Sequence, residues 1–405
     1  MQILFLHDNF PAQFGVFGQY LARMGWDVWY GTQRKGASLD GLKTFAYAPH
    51  RDVTEKIHPY VGGFERAVLN GQSLARAALK LKTKGLNPDI VMAHSGWGNG
   101  LFVKDVWPRA AYVAYFEWYY RSSAPDIVFM QEGKRELDDD LRSRSRNAPI
   151  LMDLANCDAA LCPTEFQKSQ FPPCFHNKIT VMHDGIDVER YKPLEGAKLV
   201  LPDLDLSHVD EIITYVARGM EPYRGFPEFM KALEIVLAQR PDAHAVILGE
   251  DRVAYGKKLS EGDSFKKRAL AELDIDWSRV HFTGLAPRPH YLQVLQASSV
   301  HVYLTVPFVL SWSMMEAMSA GCAIVSSDVD PVSEMTGSEA PTLLQVDHRN
   351  PGAVAAGVKK LLDDRAQAKV LGESARKFIY ESYAAQELYA RKAEWLRGIH
   401  TEVSA

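Results

Sequence analysis

Hydrophobic and polar positions along the chain follow two alternating patterns. Short runs such as Gln2-Ile3-Leu4-Phe5-Leu6-His7 and Asp89-Ile90-Val91-Met92-Ala93-His94 are continuously apolar between polar ends. That is how strands buried on both faces of a parallel sheet read. Further runs of this kind lie at 27–30, 111–116, 159–162 and 179–182. Stretches of helical period at about 14–24 and 63–84 separate the earlier ones. A polar, charge-rich insertion at 122–150 interrupts the alternation. The segment 191–206, with Tyr191-Lys192-Pro193 and Pro202, reads as a linker. A second series starts at Ile212-Ile213-Thr214-Tyr215-Val216-Ala217 and runs to about 344, followed by helices at 351–364, 366–383 and 385–399. The pattern predicts an α/β chain whose parallel sheets are covered by helices on both faces. A chain of 405 residues is too long for one core,. Two domains are expected, 1–190 and 191–383, with a terminal segment 384–405. No G-x-G-x-x-G follows the first strand, so nothing points to a dinucleotide cofactor.

Two segments of the second series carry candidate chemistry. In Leu310-Ser311-Trp312-Ser313-Met314-Met315-Glu316-Ala317-Met318-Ser319-Ala320-Gly321 the helix is apolar nearly all round, yet Glu316 sits in its middle. A buried carboxylate needs hydrogen-bond donors. Adjacent ligand hydroxyls, such as those of a ribose, suit its two oxygens; water at a cleft edge or a core arginine would serve equally. The second segment, Arg218-Gly219-Met220-Glu221-Pro222-Tyr223-Arg224-Gly225, follows an expected strand. Open α/β sheets bind ligands at such strand ends, and arginine pairs with phosphate. The plain alternative is a surface loop with two solvated arginines.

Composition narrows the field. Forty-six Lys and Arg against fifty Asp and Glu give a net charge of −4, which argues against nucleic acid as the main partner,. The cysteines Cys157, Cys162, Cys174 and Cys322 form no Cys-x-x-Cys pair and no metal-ligand spacing,. Asp8 and Pro11 follow the apolar start too soon for a signal peptide or membrane span,. A cytoplasmic protein with reduced thiols is the expectation.

Together these segments resemble the retaining glycosyltransferases of family 4. The likeness rests on the order of Arg218, Arg224-Gly225, Val246-Ile247-Leu248-Gly249, Val280-His281-Phe282-Thr283-Gly284-Leu285, the Glu316 helix and Ser326-Ser327-Asp328. It implies a GT-B fold, two Rossmann-like domains with parallel sheets facing across a cleft, and a last helix crossing back to the N-terminal domain. It also implies transfer of a sugar from a nucleoside-diphosphate sugar to a carbohydrate, lipid-linked or protein hydroxyl, with no cofactor and no metal. Polysaccharide, glycolipid or glycoconjugate synthesis is the implied setting. On this reading Arg218 and Arg224 stabilise the leaving diphosphate, aided by the amides of Ser311, Trp312 and Ser313 at a helix start. Glu316 holds the ribose, and the base lies near Gly249, Thr283, Gly284 and Leu285. The family's Glu-x7-Glu signature places its second Glu at Glu316 and its first at Phe308. A phenyl ring cannot hydrogen-bond sugar hydroxyls, so the donor sugar is expected to be deoxy or N-acetylated, or another residue such as Glu117 compensates. A GT-B sugar-nucleotide epimerase and a non-catalytic nucleotide-sugar-binding protein remain open beside transfer.

The N-terminal half supplies the remaining candidates. Asn9-Phe10-Pro11-Ala12-Gln13 is the first strand-to-helix loop, so Asn9 and Gln13 are candidates for phosphate or acceptor contact, as is His94 in a second loop. Glu117, within Tyr115-Phe116-Glu117-Trp118-Tyr119-Tyr120, takes a position where the family often has histidine. It is assigned a catalytic role, orienting a hydroxyl or accepting its proton. Arg142, Arg144 and Arg146 follow the acidic run Asp138-Asp139-Asp140. They read as an internally paired solvated face, or as a patch for an anionic acceptor at the inner face of a membrane. Oligomeric state is not legible.

Overall fold

The computed structural model describes residues 1–131, 135–337 and 340–405. The chain forms two compact units, Met1–Asp184 with Gln386–Ala405, and Gly185–Ala385.

The N-terminal unit is built on seven strands: β1 (Gln2–Leu6), β2 (Asp27–Thr32), β3 (Leu42–Ala46), β4 (Ile90–His94), β5 (Ala111–Tyr115), β6 (Ala159–Cys162) and β7 (Ile179–Val181). They form one sheet in the order β3-β2-β1-β4-β5-β6-β7, every pair parallel. Ile3 lies beside Val28 on one side and Ile90 on the other. The continuous apolar runs are explained by this arrangement, since both faces are covered: Leu4, Leu6, Val91, Tyr112 and Leu154 share one core cluster. β3 was not legible in the sequence. Its residues Leu-Lys-Thr-Phe-Ala are only partly buried, and it exists because β2 offers an edge to pair with, Trp29 against Lys43. The insertion carries the helices Pro125–Phe129, Leu137–Ser145 and Ala148–Asn156; residues 132–134 lie outside the described residues. From Gln386 on, the last helix belongs to this unit. Its Lys392, 2% exposed, donates to Asp184 Oδ1 at 3.2 Å, and Tyr115 donates to Asp184 Oδ2 at 2.6 Å. Both carboxylate oxygens are thereby satisfied, which a buried ion pair requires.

The C-terminal unit opens with a short hairpin, β8 (Val200–Leu201) and β9 (Leu204–Asp205), inside what reads as linker. Then come β10 (Ile212–Gly219), β11 (His244–Glu250), β12 (Val280–Gly284), β13 (Val300–Tyr303), β14 (Ile324–Ser327) and β15 (Leu344–Val346). Their order is β12-β11-β10-β13-β14-β15, again parallel throughout. The helix Phe226–Gln239 buries Phe226, Phe229, Met230 and Leu233 against this sheet. It starts at Gly225, whose φ of 59° and whose approach to Leu304 (an added Cβ would meet Leu304 Cβ at 2.5 Å) admit only glycine,. The Glu316 helix runs Trp312–Ser319 with Ser311 as its N-cap.

In each sheet the order reverses at one place, between β1 and β4 and between β10 and β13. Crossovers leave in opposite directions there, so the loops after these strands part and leave a crevice at the carboxyl ends. No helix among the described residues is long and apolar enough to cross a membrane.

Candidate functional site

In the N-terminal unit the carboxyl ends of β1, β4 and β5 and the loops after them bring four polar side chains together. Gln13 Nε2 donates to Glu117 Oε1 at 2.8 Å, and His94 Nε2 stands 3.4 Å from Glu117 Oε2. The other ring nitrogen of His94 lies 2.9 Å from the Ser95 carbonyl, which can only accept. That contact fixes a proton on Nδ1 and leaves Nε2 facing the carboxylate. Burial pushes the His94 imidazole down, but the Glu117 carboxylate outweighs it, and the imidazole ends above its ordinary value. Burial pushes Glu117 up, and His94 with Gln13 brings it below the usual carboxylate range. Each group favours the charged form of the other, as an imidazolium–carboxylate pair requires. A carboxylate held low is a weak proton acceptor, so this geometry suits Glu117 to orienting a hydroxyl better than to deprotonating one.

His7 completes the cluster, its ring centroid 4.6 Å from that of His94. Its Nδ1 accepts from the Asn9 amide at 2.9 Å. Burial, then the neighbouring His94, push it down to about 3, so it stays neutral. Asn9 itself is turned outward, accepting from Arg34 at 2.7 Å. Of the expected residues, Gln13, His94 and Glu117 meet, and Asn9 enters through its backbone. His7 was missed, although a polar residue directly after an apolar parallel strand stands where ligands bind.

In the C-terminal unit the two arginines separate. Arg218 is exposed at the end of β10. Arg224 is only 5% exposed. Its Nη1 donates to Thr305 Oγ1 at 2.8 Å and Tyr303 OH at 3.3 Å, its Nη2 to the Val309 carbonyl at 3.1 Å, and the Tyr255 ring lies 5.3 Å away. The plain alternative of two solvated arginines thus fails for Arg224, which holds together the loop after β13 from inside. Two of the amides assigned to a ligand are likewise engaged internally, Ser311 N with Tyr303 OH at 2.9 Å and Ser313 N with the Ser311 cap hydroxyl at 3.3 Å. Trp312, 38% exposed, opens the helix between them.

Phe308 packs edge-on against Tyr223 and Tyr255, with centroids at 5.5 and 5.4 Å. Tyr255 is placed by Glu221, fully buried, whose Oε2 accepts from the Ala254 and Tyr255 amides at 2.6 and 2.7 Å. Replacing Glu221 by alanine is expected to free that loop, with a loss of about 1–3 kcal/mol in stability. Hydrogen exchange at the Ala254 and Tyr255 amides checks this; wild-type protection would contradict the clamp.

Glu316 accepts from Tyr291 OH at 2.7 Å, and the Tyr191 hydroxyl also faces its carboxylate. Burial pushes its carboxyl up while these hydroxyls, Arg288 and Arg190 counter it. The carboxylate in the apolar helix thus has tyrosines as partners, an arrangement absent from the sequence-level alternatives. Gly249, Thr283 and Gly284 line a cavity of about 490 Å3 with Met220, Arg252, Lys266 and Phe282. Leu285, 68% exposed, follows Gly284. Among the described residues no group of three or more His, Cys, Asp or Glu side chains gathers as a metal site.

Residues 24–191 match the glycosyl transferase family 4 group, and residues 202–378 match the glycosyl transferases of group 1. The chain belongs to the group 1 glycosyltransferases. Among curated proteins it is 24% identical over 203 residues to the D-inositol 3-phosphate glycosyltransferase of Streptomyces avermitilis, covering 49% of this chain and 42% of that one. It is 28% identical over 132 residues to an uncharacterized glycosyltransferase of Methanocaldococcus jannaschii, 32% of each. The matched stretches thus span less than half of these relatives. Whole-chain likeness comes from structures. Sucrose-phosphate synthase of Thermosynechococcus elongatus superposes with a TM-score of 0.74 at 16% identity, over 99% of this chain and 100% of that one. Anabaena HepE in complex with UDP-glucose gives 0.71 at 14%, over 98% and 100%. At such identities the likeness establishes the GT-B fold and nothing finer.

Proposed function

We propose that this glycosyltransferase moves a sugar, with retention, from a nucleoside-diphosphate sugar to an acceptor hydroxyl without a metal. The observation that carries the proposal is Arg218, exposed at the end of β10, in the same strand-end segment as the turn Pro222–Arg224 with its buried, internally bonded Arg224. Preorganised positive charge at a strand end stabilises a departing diphosphate more than a bound one, because charge accumulates on it as the glycosidic bond breaks. In this scheme Arg218 contacts the diphosphate and Arg224 holds the loop of Thr305 and Val309 around it. Glu316 takes the ribose, and the base enters the cavity at Gly249, Thr283 and Gly284. The acceptor is assigned to the N-terminal unit. Its hydroxyl attacks the face that the diphosphate leaves, so no enzyme carboxylate acts as nucleophile.

A UDP-sugar is the donor class to test first, since HepE was solved with UDP and with UDP-glucose. Phe308 with Tyr223 and Tyr255 presents an aromatic surface, and we propose that the donor carries a deoxy or N-acetyl group such a surface covers favourably. Polysaccharide or glycoconjugate synthesis is the proposed setting.

The deciding experiment incubates the purified chain with a panel of nucleotide sugars, with and without mixed acceptors, and follows free nucleotide by mass spectrometry. Acceptor-dependent release is expected, and it is expected to persist in EDTA. Interconversion of sugars without release would indicate an epimerase, and binding without turnover a non-catalytic protein. Glu316→Gln is expected to weaken UDP affinity by about 10- to 150-fold, the range for one charge-assisted bond. Unchanged calorimetric affinity would remove Glu316 from the nucleotide site.

A further inference from the structure

The loop after β4, His94-Ser95-Gly96-Trp97-Gly98-Asn99-Gly100, is anchored along its length. Ser95 N donates to the Tyr115 carbonyl at 2.8 Å, and Ser95 Oγ donates to Asp153 Oδ2 at 2.7 Å. Asp153 is fully buried, and its Oδ1 accepts from Tyr112 at 2.8 Å. The Trp97 carbonyl accepts from Asn70 Nδ2 at 2.9 Å, and Tyr47 reaches Asn99 Oδ1 at 2.8 Å. Gly96 and Gly98 flank Trp97 with φ of 90° and 96°, and a Cβ on Gly98 would lie 2.0 Å from the Ala67 carbonyl oxygen. A backbone so tightly constrained nevertheless leaves its one large side chain, Trp97, 50% exposed.

That exposure does nothing for the fold. A single exposed apolar residue is ordinary on a surface, but this one sits on a rigid loop at the sheet's switch point. Its ring is 6.5 Å from the His94 ring, and His94 pairs with Glu117 and, through it, Gln13. An apolar plate thus stands beside hydrogen-bonding groups and a carboxylate already paired with an imidazole. A pyranose has the matching two-sided character. Its C–H face carries partial positive charge that suits the negative face of an indole, and its hydroxyl rim needs donors and acceptors. An alkyl chain could cover the ring, but it would leave the neighbouring polar groups without partners. Because the loop is already ordered, little conformational entropy is lost on binding.

We infer that Trp97 is a stacking platform for a pyranose unit of the acceptor, so that the acceptor is a neutral carbohydrate engaged through a sugar ring. This rests on the proposed transfer reaction for its meaning. The contact itself can be measured without turnover.

The test uses the intact chain with 15N-labelled tryptophan. The Trp97 indole N–H resonance is assigned by its loss in Trp97→Phe. It is then followed during titration with methyl glucoside, galactoside, mannoside and N-acetylglucosaminide, and with hexyl phosphate and glycerol as contrasts. At least one glycoside is expected to shift it, and neither contrast. In turnover assays Trp97→Ala is expected to raise acceptor KM about 10- to 100-fold, the range for losing one stacked ring. Donor KM and melting midpoint should not move, and Trp97→Phe should recover part of the loss. If UDP binds but no glycoside shifts the resonance, or if hexyl phosphate does, the stacking assignment is wrong and the transfer reading survives. If glycosides shift it while no nucleotide binds, the platform stands and the transfer reading falls.

Discussion

Replacing Arg218 by alanine is expected to abolish most transfer while leaving the melting midpoint unchanged; replacing Arg224 by alanine should lower both. The difference follows from where the two guanidinium groups lie. Arg218 is exposed at the strand end. Its loss removes charge-assisted bonds to the diphosphate, about 1.5–3 kcal/mol each and therefore about 10- to 150-fold in kcat/KM per bond. Arg224 is buried and serves Tyr303, Thr305 and Val309. Truncating it removes the donors to Thr305 Oγ1 and the Val309 carbonyl and leaves a cavity of guanidinium size, while Tyr303 OH keeps the Ser311 amide. An unsatisfied buried group costs about 1–3 kcal/mol. A total of about 2–4 kcal/mol corresponds to a fall of about 5–15 °C in melting midpoint for a unit of this size. Donor kinetics and scanning calorimetry on both variants decide the matter. Wild-type turnover in Arg218→Ala would remove it from the diphosphate site, and a wild-type midpoint in Arg224→Ala would show that the buried network does not hold the loop.

Glu117→Gln should have the next largest effect, and its signature is a change in pH dependence. The His94 imidazole is raised above its ordinary value of 6.5 in the folded unit by the facing Glu117 carboxylate, which outweighs burial. Its contribution to stability is therefore fully present below 6.5 and is lost as pH rises through the raised value. The Glu117 carboxyl is lowered below 4.5. Its contribution is present above 4.5 and is lost as pH falls through the lowered value. The pair thus stabilises the N-terminal unit most between these limits. Glutamine keeps a carbonyl for Gln13 but removes the charge, leaving His94 under the influence of burial, which pushes it down. The variant's melting midpoint should then vary less between pH 4 and 9. Its acceptor kcat/KM should fall by about 10- to 100-fold if the carboxylate orients the reacting hydroxyl. Histidine titration by NMR in both proteins provides the check. A wild-type His94 that titrates at or below 6.5 would contradict the ion pair.

Much of the architecture is written in local sequence. Continuous apolar runs ending in polar residues encode doubly covered parallel strands, because such a strand has no solvent face to mark. The helix Trp312–Ser319 and the turn at Gly225 were legible for the same kind of reason: a cap, a stop and a periodic apolar face act over a few residues,. The placement of Arg218, Arg224, His94 and Glu117 at or just beyond carboxyl ends of strands follows from that alternation alone, as does that of Glu316 in the helix after β13.

What each of these side chains touches was decided by tertiary structure. Arg224 and Arg218 look equivalent in sequence, yet Thr305 and Val309, some eighty residues on, bury one and not the other. Glu316 finds its donor in Tyr291, and the Ser311 amide finds its acceptor in Tyr303. His94 and Glu117 meet because β4 and β5 are neighbours in register, His94 beside Tyr115. β3 forms only because β2 has an edge to offer. Periodicity reports that a residue is buried, since burial repeats with the pitch of its own element. It carries no record of which distant atom fills the space opposite, and strand order and register alone supply that.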